Sequence, residues 1–147
     1  MTTEHALITP TNRAEWRAYH DIRRRVLFEA RGQFGVYQED HPGENAPGNH
    51  PKLLRYRDEA IGVVRIDVDG VTAICRRVAI RSDVQGSGHG RVLLSLVQQF
   101  AQEQGCTRLT SHGAPDAVEF YERCGFTVDR DETESSGGES VFMTKRL

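Results

Sequence analysis

Arg76-Arg-Val-Ala-Ile-Arg-Ser-Asp-Val-Gln-Gly-Ser-Gly-His-Gly-Arg-Val-Leu-Leu-Ser-Leu-Val-Gln-Gln-Phe-Ala101 is the most informative segment of the chain. The apolar run Ile74 to Ile80 reads as a strand that ends in a short polar turn. A glycine-punctuated loop, Gln85-Gly86-Ser87-Gly88-His89-Gly90, then opens directly into an amphipathic helix. Such a layout presents backbone N–H groups to an anion. The first N–H groups of a helix lack intrahelical partners, and the helix dipole adds partial positive charge there. Glycines allow positive φ and let a pyrophosphate approach without a Cβ in the way. The segment therefore predicts a site for a phosphorylated cofactor, with the backbone N–H groups of Gly86, Gly88, His89, Gly90 and Arg91 as ligands. Gln85 and the Ser87 hydroxyl would be further donors.

Spacing narrows the cofactor. A nucleotide-hydrolysing P-loop ends in Gly-Lys-Ser/Thr, whereas Gly90 is followed by Arg91-Val92. The dinucleotide fingerprint G-x-G-x-x-G is not met by glycines at 86, 88 and 90, and the loop lies mid-chain. The pattern that fits is Q-x-x-G-x-G, from Gln85 to Gly90. It resembles the coenzyme A pyrophosphate loop of the GNAT superfamily of N-acetyltransferases. Val78-Ala79-Ile80 upstream is similar to the end of that family's fourth strand. Phe120-Tyr-Glu-Arg-Cys-Gly-Phe126 downstream is similar to its second signature, F-Y-x-x-x-G-F. The resemblance spans residues 60–128 closely and the rest of the chain more loosely.

Outward from that segment, composition bounds the class. The 147 residues suffice for one domain with its own core, expected over 1–147. A net charge of −2, from 19 basic and 21 acidic residues, argues against nucleic acid as a partner. No apolar run approaches the ~20 residues of a membrane span, and the N-terminus lacks a signal-peptide layout. Three cysteines without C-x-x-C spacing read as reduced thiols, so a cytoplasmic location is expected.

Strands are expected at 5–9, 53–57, 60–68, 71–80 and 108–111, with a last hairpin of 126–131 and 140–145 across the tip Ser135-Ser-Gly-Gly138. Asp69-Gly70 reads as a hairpin turn. Helices are expected from a capping pair, Asn12 and Glu15, to about Arg31, with a break near Asp21; over 88–104, closed by Gly105; and over 116–124. Residues 32–51, rich in glycine and proline, read as a long loop. This order predicts a mixed, mainly antiparallel α/β sheet flanked by helices. The resemblance implies about seven strands, about four helices and a V-shaped splay between strands 4 and 5.

The resemblance also assigns roles. Val78, Ala79 and Ile80 would lie along the cofactor, Val78 and Ile80 offering main-chain groups to its pantetheine arm. Tyr121 would protonate the leaving thiolate, a role suited to a phenol of pKa ~10 facing a thiol of ~8.5. Many members carry asparagine seven positions before that tyrosine, where this chain has Ala114. For a base, His112 has a suitable pKa, with Glu29, Glu59, Asp67 or no dedicated base as alternatives. Arg24, Phe28 and Tyr37 would line the acceptor pocket. Glu39, Asp40 and Glu44 are compatible with a cationic acceptor and equally with a solvated loop. His41 and His50 fit no metal-ligand spacing, and no metal is expected. The implied activity is direct transfer of the acetyl group of acetyl-CoA to a primary amine, small or peptidic, and dimers are common in the family. The alternative is a non-catalytic acyl-CoA-binding domain of the same fold.

Overall fold

A computed structural model describes residues 4–135, 137 and 140–147. Among them seven strands form one sheet: β1 (His5–Ile8), β2 (Asn49–Tyr56), β3 (Glu59–Asp69), β4 (Thr72–Ile80), β5 (Arg108–Gly113), β6 (Thr127–Val128) and β7 (Val141–Arg146). The spatial order is β1-β2-β3-β4-β5-β7-β6, antiparallel throughout except for the parallel pair β4–β5. Four helices accompany them: α1 (Arg13–Arg23), α2 (His89–Glu103), α3 (Val118–Arg123) and α4 (Arg130–Ser135).

Both faces of the sheet are covered, which explains why its central strands are apolar at consecutive positions rather than at alternate ones. Leu53, Val63 and Ala79 pack under Tyr19 and Ile22 of α1. Their neighbours Leu54 and Val64 join Leu93, Leu94, Val97 and Ala101 of α2 in the larger core on the other face. Asn12 starts α1 by accepting the Glu15 N–H at 2.8 Å, while the Glu15 carboxylate accepts the Thr11 N–H at 2.9 Å. The expected break at Asp21 falls later. α1 stays regular through Arg23, widens into a π turn over Arg24–Phe28, and tightens into a 3-10 turn over Glu29–Arg31. The extra residue of a π turn re-phases the helical stripe, and Leu27 and Phe28 now face the open end of the sheet.

Two boundaries differ most from the sequence expectation. β2 begins at Asn49, inside the expected loop, and includes Pro51. Residues 49–52 pair with β3 on one side while β1 covers only 53–56, so Pro51 sits where a missing N–H leaves no gap in the ladder. The last hairpin is also shorter. β6 stops at Val128 because Asp129 accepts the Glu132 N–H at 3.0 Å and caps α4, whose first turn holds Asp131 and Glu132. Ser136 and Gly138 of the expected tip lie outside the described residues.

Candidate active site

The sheet opens where the chemistry is expected. β4 and β5 pair only from Thr72↔Arg108 to Cys75↔Ser111, although β4 continues to Ile80 and β5 to Gly113. The same part of β4 bulges away from β3, where the register jumps from Val63↔Ala79 to Arg65↔Arg76. Arg77 and Val78 thus oppose one residue, and Arg77 takes a left-handed φ of 58°. A cavity lies on each side of this opening.

The first cavity, about 580 Å³, lies against the glycine loop. Val78, Ala79 and Ile80 line it along β4, and Gln85, Gly86, Gly88, His89, Gly90 and Arg91 line it at the loop; Ser87 does not. Gly86 and Gly88 have φ of 83° and 87°, and a Cβ on either would point into open space. Gly88 precedes α2 with no side-chain cap, so the first-turn N–H groups of α2 are left for an outside acceptor. The Gln85 side-chain amide donates to the Ile80 carbonyl at 2.8 Å and ties the loop to β4. The His89 ring is likewise engaged, its Nδ1 lying 2.9 Å from Nε2 of His5 on β1. At Gly90 a Cβ would come within 3.0 Å of the Phe120 ring, so glycine there lets α2 and α3 meet. An apolar-floored trough ending in free helix N–H groups fits a pyrophosphate with a linear tail.

The second cavity, also about 580 Å³, lies on the other side of the opening. His112, Ala114, Phe28, Tyr37 and His41 line it, together with Arg23, Arg31, Arg65, Arg76 and Arg77. Arg24 does not; it pairs with Asp21 at 2.6 Å and Glu29 at 3.4 Å. Glu44 reaches the wall from the 3-10 turn Pro42–Asn45 and is 4 % exposed. There it accepts the Arg23 guanidinium and, at 3.0 Å, the Tyr19 hydroxyl, so it is not free for a cationic acceptor. Burial in this corner pushes the Tyr19 phenol well above its ordinary pKa. The three carboxylate base candidates are engaged as well: Glu29 with Arg24 at 3.4 Å, Glu59 with Arg81 at 2.8 Å, and Asp67 with Arg65 and Arg76, each at 2.8 Å. His112 is exposed to the cavity, its ring edge-on to Phe142 at 4.8 Å.

Leu27, Arg31, Val78, Ala117 and Tyr121 belong to both cavities. Tyr121 is 6 % exposed and held between the Phe120 and Phe126 rings, with centroids at 5.4 and 5.3 Å. Burial pushes its phenol up to about 12, Ser111 drawing the other way. Cys75 also reaches the second cavity, but full burial raises its thiol to about 12. Among the described residues no cluster of metal-ligating side chains occurs, and no helix is long and apolar enough to cross a membrane.

The sequence signatures located Tyr121 and the loop. Arg23, Arg31 and Arg77 were missed because no motif singles them out, and Arg23 and Arg77 each stand beside other arginines.

Comparison with known proteins agrees with this architecture. Residues 36–147 match the acetyltransferase (GNAT) domain family. A candidate acetyltransferase of Bacillus subtilis (strain 168) is 27% identical over 127 residues, 86% of each chain. The crystal structure of a candidate N-acetyltransferase from Lactobacillus plantarum superposes with a TM-score of 0.77 at 26% identity, covering 99% of both chains. The PaiA N-acetyltransferase from Thermoplasma acidophilum, crystallised with coenzyme A, shares the fold at a TM-score of 0.74 and 12% identity over the full length of both. The chain belongs to the GNAT acetyltransferase family.

Proposed function

We propose that the protein transfers the acetyl group of acetyl-CoA directly to a primary amine, with the glycine-loop cavity holding the donor and the arginine-lined cavity the acceptor. The observation that carries this reading is that the two cavities meet at one wall, which contains both Val78 of the bulged strand and Tyr121. The N–H groups of Gly86, Gly88, His89, Gly90 and Arg91 would take the pyrophosphate. Main-chain groups of Val78 and the N–H of Ile80, unpaired toward β5, would take the pantetheine amides in the manner of an added strand. A main-chain N–H beside Val78 would support the thioester oxygen as negative charge develops on it.

The amine nitrogen bonds to the acetyl carbon as the C–S bond breaks; the amine's proton passes to solvent, and the departed thiolate takes its proton from solvent. Tyr121 stays protonated at any working pH because its pKa is near 12, so it always has a proton to direct at the departing sulfur. Against a thiol reference of ~8.5 its complete transfer is uphill. The role that fits is therefore a hydrogen bond that strengthens as the thiolate forms. His112, open to the acceptor cavity, is placed to relay the amine's proton to solvent. No acyl-enzyme is needed: Cys75 is a neutral thiol at about 12 and burial also raises Cys124, and it is the thiolate that acts as a nucleophile.

Calorimetric titration with acetyl-CoA and CoA, beside ATP and NAD, tests the donor. Micromolar binding of the CoA species alone is expected. If neither CoA species binds, the assignment of the glycine loop fails and the reading with it. A Tyr121→Phe variant that binds CoA normally yet turns over normally would remove the tyrosine from the chemistry.

A further inference from the structure

The acceptor cavity is strongly basic. Five guanidinium groups line it, and Glu44 is its one lining carboxylate among the described residues. Glu44 is taken up by Arg23, and Asp67 behind the wall holds Arg65 and Arg76 together. Arg31 and Arg77 are left with no ion-pair partner among the described residues. Arg77 lies over the Phe28 ring, 5.3 Å from its centroid, which holds the guanidinium at the cavity wall. Its backbone has a left-handed φ of 58° within a strand, a conformation that costs a side-chain-bearing residue and that glycine would adopt freely. Arg23, 4 % exposed, leaves its Nε without a hydrogen-bond partner in the same wall. Crowding is felt as well: burial first, then Arg23 and Arg65, holds the Arg77 pKa below its ordinary value.

On the basis of the acetyltransferase reading above, we propose that the acceptor is an amine that also bears a carboxylate, bound by Arg77 and Arg31 over the Phe28 ring. A planar guanidinium matches a carboxylate in a two-point contact that an ammonium group cannot offer. The same positive field opposes a cationic acceptor and disfavours the ammonium form of a bound amine. It thereby supplies neutral amine for attack without a strong base, consistent with Glu29, Glu44, Glu59 and Asp67 all being engaged by arginines.

The test compares amines in matched pairs by release of free thiol from acetyl-CoA: glycine with glycinamide, β-alanine with its amide, and glutamate with its diamide, beside putrescine and spermidine. Each acid should exceed its amide by about 10–100-fold in kcat/KM, the range for a lost charge-assisted hydrogen bond. Arg77→Gln should raise KM for the acids by a similar factor and change that for the amides far less. Arg77→Gly relieves the backbone and should show the same loss in a protein at least as stable, which separates recognition from folding. Preference for amides or polyamines, or an acid preference that survives both variants, would overturn the proposal while thiol release itself upholds the enzyme. Failure of CoA and acetyl-CoA to bind would sink both readings.

Discussion

Tyr121 and Glu44 are the two side chains on which most depends. Tyr121→Phe should lower kcat about 100-fold, the lower range for a positioned proton donor, with CoA affinity unchanged in calorimetry. Because the phenol titrates only near 12, the wild-type rate should show no alkaline fall from tyrosine ionisation below pH ~11. A tyrosine-dependent loss at pH 9–10 in a pH–rate profile would contradict its burial. Glu44 matters for stability. It lies with Arg23 in a closed corner, each 4 % exposed, and removing one partner strands a buried charge. Glu44→Ala should cost about 3–5 kcal/mol in urea unfolding. Glu44→Leu combined with Arg23→Met and Tyr19→Phe should recover most of that loss, since an apolar cluster needs no charge compensation and leaves no Tyr19 hydroxyl without its acceptor.

At the scale of elements, the glycine loop with its flanking strand and helix was legible because each step is a local backbone rule. Gly88 and Gly105 bracket α2, both at positive φ, and Leu93, Val97 and Ala101 face the core as their spacing required. The acceptor side was not legible. Its wall is assembled from a π turn, a 3-10 turn that carries Glu44, and a bulged strand. None of these has a sequence period, and their contacts arise only when α1, the loop and β4 close on each other. Phe28 and Tyr37 were found there and Arg24 was not, because the π turn shifts the helical phase by one residue. Helix α4 was hidden differently: Asp129 followed by Glu132 is a capping signal that strand-like neighbours obscured. Two substitutions test element-level claims. Asn12→Ala should destabilise by about 1 kcal/mol through loss of the α1 cap. Gly62→Ala should cost more, because its Cβ would meet Ile80 Cδ1 at 2.8 Å and the Ala79 carbonyl at 3.1 Å.

At the scale of the whole molecule, the first strand and the donor loop are joined by the imidazoles of His5 and His89, 2.9 Å apart, with Tyr56 beside both. Burial, then the charge of His89, lowers the His5 pKa in the folded protein. A lowered histidine pKa means that the fold favours the neutral ring. Its contribution is complete above the unfolded value of ~6.5 and is lost as pH falls from there through the folded value. The melting temperature should therefore decline below pH ~6.5 in part through this pair, and His5→Gln should flatten that part of the profile. An unchanged slope in the variant would show that the pair carries no such linkage.

The incomplete pairing of β4 with β5 has a cost outside catalysis. A strand with unpaired N–H and C=O groups is a template for another chain, and proteins usually cover such edges with charge, proline or a neighbouring element. In the proposed reading a substrate enters this open seam, and the donor would then be its protective cover. Saturating CoA at 100 times its Kd should add about 2.7 kcal/mol to stability. It should also slow heat-induced aggregation beyond what the shift in melting temperature explains, because the ligand removes the docking edge as well as the unfolded population. In a cell, the protein least able to resist self-association would be the one starved of its own donor.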